Sequence, residues 1–396
     1  MPEIPNFDHN GISINTTEPP APMGPLSGTI PGWVGTAPDR DASLPLNVPI
    51  RIANPKDAAL LDTVGDEAGT LYHAVMQTLK KAQCVQYVVI VEEETTAEGD
   101  PELAATTAKI IGGVDATSGQ KTGISALPTA AEVPNVIAAP GFSHQKEVAD
   151  ALASMGRRIR ARVLIDAPDD SVDGVTTFSG TLGGEGLGYE AVYMAYQQCQ
   201  VYSKAALGQI FVPPSTMAMG CFAAVKPWES PGNQGVYIDG VSRDIDYNIL
   251  DKTHEGDLLN RYGVSYFART SLGGFSLIGN RALDGSFISH TGLADEIARK
   301  LCKTAQRAMA KNLDMAFMRQ ELRRIDNFGQ NLVAQGVLPI FECYLHPTPN
   351  TVDEYRNGTW YIVLNYARYS PNEHMVYQLN ASEDLIGTFV ENMLNG

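Results

Sequence analysis

From residue 54 to residue 196 short apolar runs alternate with amphipathic stripes, and this alternation limits the fold more than any other feature of the sequence. Strands separated by helices build a largely parallel sheet with helices packed on its faces. Asn54-Pro55 supplies an N-cap followed by proline at the first helical position, opening a short helix to about Val64. A second helix sets Leu71, Val75, Thr78, Leu79 and Ala82 on one face. The buried run Val85 to Val91 follows, and Asp100-Pro101 starts a helix to Ile111. Asn135 to Ala139 reads as a strand ended by Pro140-Gly141. Ser143 caps a helix whose apolar stripe is Val148, Leu152, Met155 and Ile159. Arg162 to Asp166 and Glu190 to Tyr196 read as further strands.

The flanks differ. Residues 1 to 32 contain a short alternation at Ile12, Ile14 and Thr16, then a proline-rich stretch from Thr17 to Pro31 that reads as an extended linker. After about residue 250 come short elements at Asp257 to Asn260 and Ser265 to Thr270, then a glycine-rich stretch from Leu272 to Asn280. A long helical region runs from Leu293 to about Gln335, broken near Asn312. Trp360 to Tyr366 and Met375 to Leu379 read as a pair of strands, and Glu383 to Leu394 as a terminal helix. The expected organisation is an N-terminal arm and linker over 1–32, an α/β domain with a mostly parallel sheet over 33–250, an α+β domain over 251–369 and a C-terminal arm over 370–396.

A chain of 396 residues with 44% apolar and 19% charged residues can bury a core in each of two domains. The net charge of −16 repels phosphates and argues against nucleic-acid binding. Cys84, Cys199, Cys221, Cys302 and Cys343 are widely separated, without a CxxC pair, and suggest neither a zinc framework nor a disulfide scaffold. Met1 to Asn10 lacks the basic and apolar regions of a signal peptide, and Val85 to Val91 is too short to cross a bilayer, so a soluble protein made in the cytoplasm is expected.

Candidate chemistry is sparse. Gly183-Gly184-Glu185-Gly186-Leu187-Gly188 does not join a strand to a helix in the dinucleotide-binding manner, and there is no GK[ST]. Pro140-Gly141-Phe142-Ser143-His144 stands where a nucleophile elbow would sit, but Gln145 replaces the second glycine of such a turn. Ser143 therefore reads as a helix cap, with an α/β hydrolase using it as nucleophile as the rival. The histidines show no metal spacing. His254-Glu255 reads as a solvated loop pair, and Glu92-Glu93-Glu94 and Asp169-Asp170 as acidic loop tips. No cofactor is expected.

One charged feature stands out. Arg299, Lys303, Arg307 and Lys311 recur every four residues, with Lys300 beside them and no acidic residue between 299 and 311. On a helix this makes a basic stripe next to an apolar face of Leu293, Ile297, Leu301, Ala305 and Ala308, with Asp295 and Glu296 complementing the helix dipole. In so acidic a chain the stripe reads as a docking surface for an acidic partner, with a plain solvated face as the alternative.

Several motifs, in order, resemble the contractile tail sheath proteins of myophages and R-type pyocins. Gly35-Thr36-Ala37 and Asn47-Val48-Pro49-Ile50 resemble the family's opening strand and loop, and Ala139-Pro140-Gly141 and Ile165-Asp166-Ala167-Pro168 the ends of two sheet strands. Val212-Pro213-Pro214-Ser215 and Gly220 precede Trp228-Glu229-Ser230-Pro231-Gly232-Asn233, which resembles the family's W-x-S-P-x-N. Leu259-Asn260, Gly263-Val264 and Gly274 lead to Gly279-Asn280-Arg281. The resemblance covers about residues 30 to 385. It departs at Ile278, where the family often has tryptophan, and over Asp169 to Gly188, which matches little.

The resemblance implies a structural subunit, not an enzyme, that polymerises as stacked rings or a helix around a tail tube and contracts. Its implied partners are further copies of itself, the tail tube protein, and baseplate and tail terminator proteins, with no nucleic acid and no membrane insertion. It implies an outer α/β domain and a tube-facing inner domain. Arms carrying Ile12 and Ile14 at one end and Met375, Tyr377 and Leu379 at the other would join sheets of neighbouring subunits. Arg299, Lys300, Lys303, Arg307 and Lys311 would contact the tube. Trp228, Ser230, Pro231, Asn233, Gly279, Asn280 and Arg281 would be structural motif residues. A tail particle, assembled in a host bacterial cytoplasm, is the implied location. A non-contractile ring or shell protein is a further alternative.

Overall fold

A computed structural model describes residues 22–95, 102–182, 189–271, 273–309 and 311–395. Its centre is a nine-stranded sheet. β1 (Pro31–Thr36) is buried along its length. The short edge strand β2 (Ile50–Ile52) leads into α1 (Pro55–Ala58), where the Asn54 side chain accepts from the backbone N–H groups of Lys56 and Asp57. This cap matches expectation, but the helix passes at once into a 3₁₀ turn, Ala59–Leu61, and does not reach Val64. α2 (Leu71–Lys81), β3 (Gln86–Val91), α3 (Leu103–Ile111), β4 (Val136–Ala138), α4 (Lys146–Ile159) and β5 (Arg162–Asp166) follow the predicted alternation. The predicted start of α3 at Asp100-Pro101 lies outside the described residues.

α5 (Val172–Leu182), β6 (Val192–Ala195), β7 (Cys199–Ser203), β8 (Gly208–Val212) and α6 (Pro214–Ala224) come next. α6 gives no periodic signal because residues on every side of it are buried, from Pro214 to Phe222. β9 (Gly235–Val236), β10 (Gly240–Val241), α7 (Glu255–Arg261), β11 (Val264–Arg269) and β12 (Phe275–Ile278) complete this half. The sheet order is β2-β3-β1-β4-β5-β6-β11-β12-β9, and β10-β7-β8 form a small antiparallel sheet. From β3 through β11 the large sheet is parallel, while β2, β12 and β9 are antiparallel.

Alternate strand residues face two separate cores, as strands covered on both faces require. Trp33, Val88, Ile90, Leu164 and Tyr193 pack towards α2 and α6. Val34, Val89, Ile137, Val163 and Met194 pack towards α4, whose Val148, Leu152 and Met155 are buried as the stripe predicts. Each such large apolar side chain contributes about 1.5–3 kcal/mol on burial.

Two expected boundaries need correction. The division near residue 250 does not separate two sheets, because β11 pairs in parallel with β6 (Val264 beside Met194) and extends the same sheet. Residues 199–254 leave the parallel part of the sheet and rejoin it only as the two-residue antiparallel strand β9, and the change in sequence character follows that excursion. The segment from residue 22 to β1 is also no free linker, since Met23 and Leu26 are buried against the C-terminal helices. Ile12 and Ile14 lie outside the described residues.

The remaining chain is α+β in character: α8 (Ile288–Ala305), α9 (Met315–Ala334), β13 (Phe341–Leu345), α10 (Val352–Arg356), β14 (Ile362–Tyr366) and α11 (Asp384–Asn395). Leu293, Ile297, Ile325, Phe328, Leu332 and Phe341 form a third core. β14 pairs with β13, not with a strand at Met375 to Leu379. The alternation at Phe341, Cys343 and Leu345, half of whose residues turn inward, takes the pairing edge. Residues 371–382 have no regular structure. Among the described residues no helix is long and apolar enough to cross a membrane.

Candidate functional site

The strands from β3 to β6 all point one way, so their starts form one edge of the sheet. α8 lies along that edge. Thr291 donates to the Glu190 carbonyl ahead of β6 at 2.8 Å. The next residue, Gly292, passes so close to the Pro227 carbonyl that a side chain there would be 2.1 Å from it. Asn135, just before β4, donates to Glu296 at 2.7 Å and to the Gly28 carbonyl at 2.8 Å. Its side-chain carbonyl accepts from the N–H of Ile30 at 2.7 Å. Arg299 donates to the carbonyls of Pro134 and Ile159, each at 2.9 Å, and to that of Val133.

This junction is strongly charged inside. Arg162 is buried, its guanidinium 5.0 Å from the Phe222 ring, and burial lowers its pKa to about 10 despite the nearby Glu296 and Asp295. Burial raises the carboxyls of Glu296 and Asp295; Asn135 and Arg299 oppose this at Glu296, and Arg160 opposes it at Asp295. Glu296 and Asp295 are therefore no helix-dipole ornaments, because α8 begins at Ile288 and places both well inside the helix and inside the protein. No sequence signal marked Asn135 or Arg162 as their partners.

The basic stripe is divided by the same geometry. Arg299 is held by three carbonyls and belongs to the junction, not to a free surface. Lys300 and Lys303 line a cleft of about 640 Å³ together with Arg158 and Arg160 at the end of α4. α8 stops at Ala305, so Arg307 and Lys311 stand in the exposed connection to α9 and do not continue a helical face. Four-residue spacing carries no information about a face once the helix has ended.

The two motif segments meet in space. The Ser230 hydroxyl donates to the Asn280 side-chain carbonyl, and the Asn233 N–H donates to the Leu277 carbonyl at 2.7 Å. Gly279 has φ +132°, and a side chain there would be 2.2 Å from the Ser265 hydroxyl, so both conformation and space require glycine. Pro231 is buried, and Trp228 packs on the third core. Arg281 binds the Glu373 carboxylate at 2.7 Å, donates to the Gly285 carbonyl at 2.6 Å and lies 4.3 Å from the Phe287 ring centre. It thereby anchors the base of the C-terminal segment, which a structural motif residue would not by sequence alone be expected to reach. Beyond Glu373, Met375, Tyr377 and Leu379 are 58%, 76% and 93% exposed.

Ser143 is fully buried and does not cap α4, which begins at Lys146 after Gln145. Its hydroxyl donates to Asp166 at 2.8 Å and accepts from the Asp166 N–H at 2.9 Å. Asp166 also receives the N–H groups of Gly141 and Ser215. These donors offset the burial that raises its carboxyl. The arrangement fixes turns at the strand ends and leaves the hydroxyl no approach for a substrate. His254 is not a solvated loop residue: it caps α7, accepting from the Asp257 N–H at 3.0 Å. Lys109 pairs with Glu92 and Glu94. Among the described residues no His, Cys, Asp and Glu group could hold a metal, and the 183–188 glycine run lies outside them.

The fold is that of contractile sheaths. It resembles the contracted sheath complex of the PVC extracellular contractile injection system with a TM-score of 0.70 and 14% identity, over 96% of this chain and 99% of that one. It resembles the contracted helical sheath of the anti-feeding prophage with a TM-score of 0.67 and 19% identity, over 95% and 100% of the two chains. No family model matches the chain. The tail sheath protein of Escherichia phage P2 is 25% identical over 398 residues, 96% of this chain and 98% of the phage protein. The chain is thus similar nearly end to end to a tail sheath protein in sequence, and to contractile sheaths in fold.

Proposed function

We propose that this chain is the structural subunit of a contractile tail sheath, polymerising with itself around a tail tube and contracting to drive the tube through a target cell envelope. End-to-end similarity to the phage P2 tail sheath protein carries this reading. The polymer is a helix of stacked rings. Contraction is conversion of a metastable lattice to one of lower energy, so the subunit is not an enzyme and needs no cofactor. The tube, the baseplate and the tail terminator are its other partners, and the particle assembles in the host bacterial cytoplasm.

The arms hold the lattice. The C-terminal segment is fixed as far as Glu373 and then presents apolar side chains that have no strand partner among the described residues. Met375, Tyr377 and Leu379 pair with a sheet of a neighbouring copy, as do Ile12 and Ile14 of the N-terminal arm. Backbone pairing of this kind is heterologous and propagates. The part built on α8 and α9 faces the tube, and Arg307 and Lys311, in the exposed turn between these helices, make weak, repeated contacts with it. The α/β sheet lies outside.

Negative-stain electron microscopy of a variant lacking residues 374–396 tests the arm model. A folded monomer that forms no polymer is the expected outcome, and polymers of normal length contradict it.

A further inference from the structure

The α/β sheet has opposite charge at its two ends. At the starting edge stand Arg157 and Arg158 in the last turn of α4 and Arg160 just after it, Lys80 and Lys81 at the end of α2, and Lys300 and Lys303 on α8. Basic residues in the last turns of α2 and α4 complement those helix dipoles. Lys303 likewise stands in the last turn of α8, whereas Lys300, about a turn earlier, has no such reason to be there. Among the described residues, Arg158, Lys300 and Lys303 make no ion pair with an acidic side chain, and Arg160 reaches only Asp295, at 3.5 Å. Burial lowers the Lys300 pKa, and the like charge of Lys303 lowers it further.

At the opposite edge, Asp39 and Asp41 follow β1, and the loop carrying Asp62 and Asp66 is tied back to the same strand end by the Thr63 and Thr70 N–H groups. No Lys or Arg among the described residues pairs with these four carboxylates, whereas Lys109 neutralises the neighbouring Glu92 and Glu94. Arg40 directs its Nε to the Leu44 carbonyl. Partial burial raises the Asp39 carboxyl, and the like charges of Asp66 and Asp62 add to the effect. Glu132 and Glu296 also line the basic cleft, but Glu296 is engaged by Asn135 and Arg299, and among the described residues each pole keeps an excess of one sign of charge without an ion-pair partner.

We propose that these poles are the two sides of one contact between copies, the cleft of Arg158, Arg160, Lys300 and Lys303 on one subunit receiving the Asp39, Asp41 and Asp66 edge of the next. A chain of net charge −16 repels its own copies, and the cleft is the surface on which a second copy's acidic edge finds opposite charge. The contact joins different surfaces and therefore propagates. It rests on the sheath reading and adds to the arms a contact that salt weakens.

The test compares assembly of full-length wild type, Arg158→Glu/Lys303→Glu, Asp39→Lys/Asp66→Lys and the fourfold variant, each with tube and baseplate present. Either double reversal raises the concentration needed for polymer by about tenfold or more, since like charges then face each other. The fourfold variant, with both poles inverted, recovers assembly. Double variants that assemble like wild type, or a fourfold variant no better than the doubles, overturn the paired poles while wild-type polymer upholds the sheath reading. Wild type that forms no polymer overturns both. A second readout is independent of variant folding energetics: Cys302, exposed in the cleft, and an Asp66→Cys substitution give a covalent ladder of subunits with a short bismaleimide. Monomer alone after cross-linking of assembled polymer overturns the contact.

Discussion

Asn135, one residue ahead of β4, donates its side-chain amide to Glu296 of α8 across 2.7 Å in the protein interior. Residues 161 positions apart are thereby joined where the start of the sheet meets the C-terminal helices. With Arg299 on three carbonyls nearby, the two parts behave as one body at this seam. On the proposed sheath reading, contraction moves whole subunits and leaves this junction closed.

Truncating Arg299 takes its donors from the Val133, Pro134 and Ile159 carbonyls and removes the cation beside Glu296, which keeps only the Asn135 side chain of the two. Arg299→Ala is expected to cost about 3–5 kcal/mol, while Lys303→Ala, at an exposed site, changes stability by under about 0.5 kcal/mol. Urea unfolding of the unassembled subunit measures both. Equal effects would return Arg299 to the surface stripe.

The junction also predicts a pH dependence. Burial raises the Glu296 carboxyl above its ordinary value near 4.5, so the folded state binds the proton more tightly than the unfolded chain. Stability from this group is therefore lowest above the folded pKa and rises as pH falls through it, levelling off below the unfolded value. Thermal unfolding of wild type and Glu296→Gln between pH 7 and 4 should show wild type gaining on the variant as pH falls. A constant difference, or one of opposite sign, would contradict the assignment.

Ser143→Ala removes one donor from buried Asp166. A loss of about 1–3 kcal/mol is expected, with assembly intact at low temperature. Loss of a hydrolytic activity instead would support the enzyme alternative.

Charge reversal at Arg307 and Lys311 should weaken attachment to the tube while leaving sheath polymer in place, measured by co-sedimentation with tubes. Unchanged attachment would make that turn a plain solvated surface.

Much of this was legible in the sequence. The strand and helix alternation from α2 to β6 follows from two-residue and 3.6-residue periodicity, and the Asn54 cap from its side chain and the following proline. What failed has physical causes. α6 is buried on all sides and carries no stripe, and β13 alternates over only five residues. Ser143 in a turn before a helix looks like a cap, and only the return of β5 brings Asp166 to its hydroxyl. Arg299 shares the spacing of Lys303 and Arg307, but spacing does not reveal the Pro134 and Ile159 carbonyls that hold it. The motif residues were found by resemblance, whereas the meeting of Ser230 with Asn280, and of Arg281 with Glu373, depends on chain crossings no local pattern encodes.

The central claim, self-propagating assembly around a tube, is tested most directly by negative-stain electron microscopy of the purified wild-type protein, alone and with tube and baseplate. Hollow, regularly striated tubules with a lumen wide enough for a tail tube are the predicted result. Monodisperse small particles at every protein and salt concentration, persisting with tube and baseplate present, would contradict it.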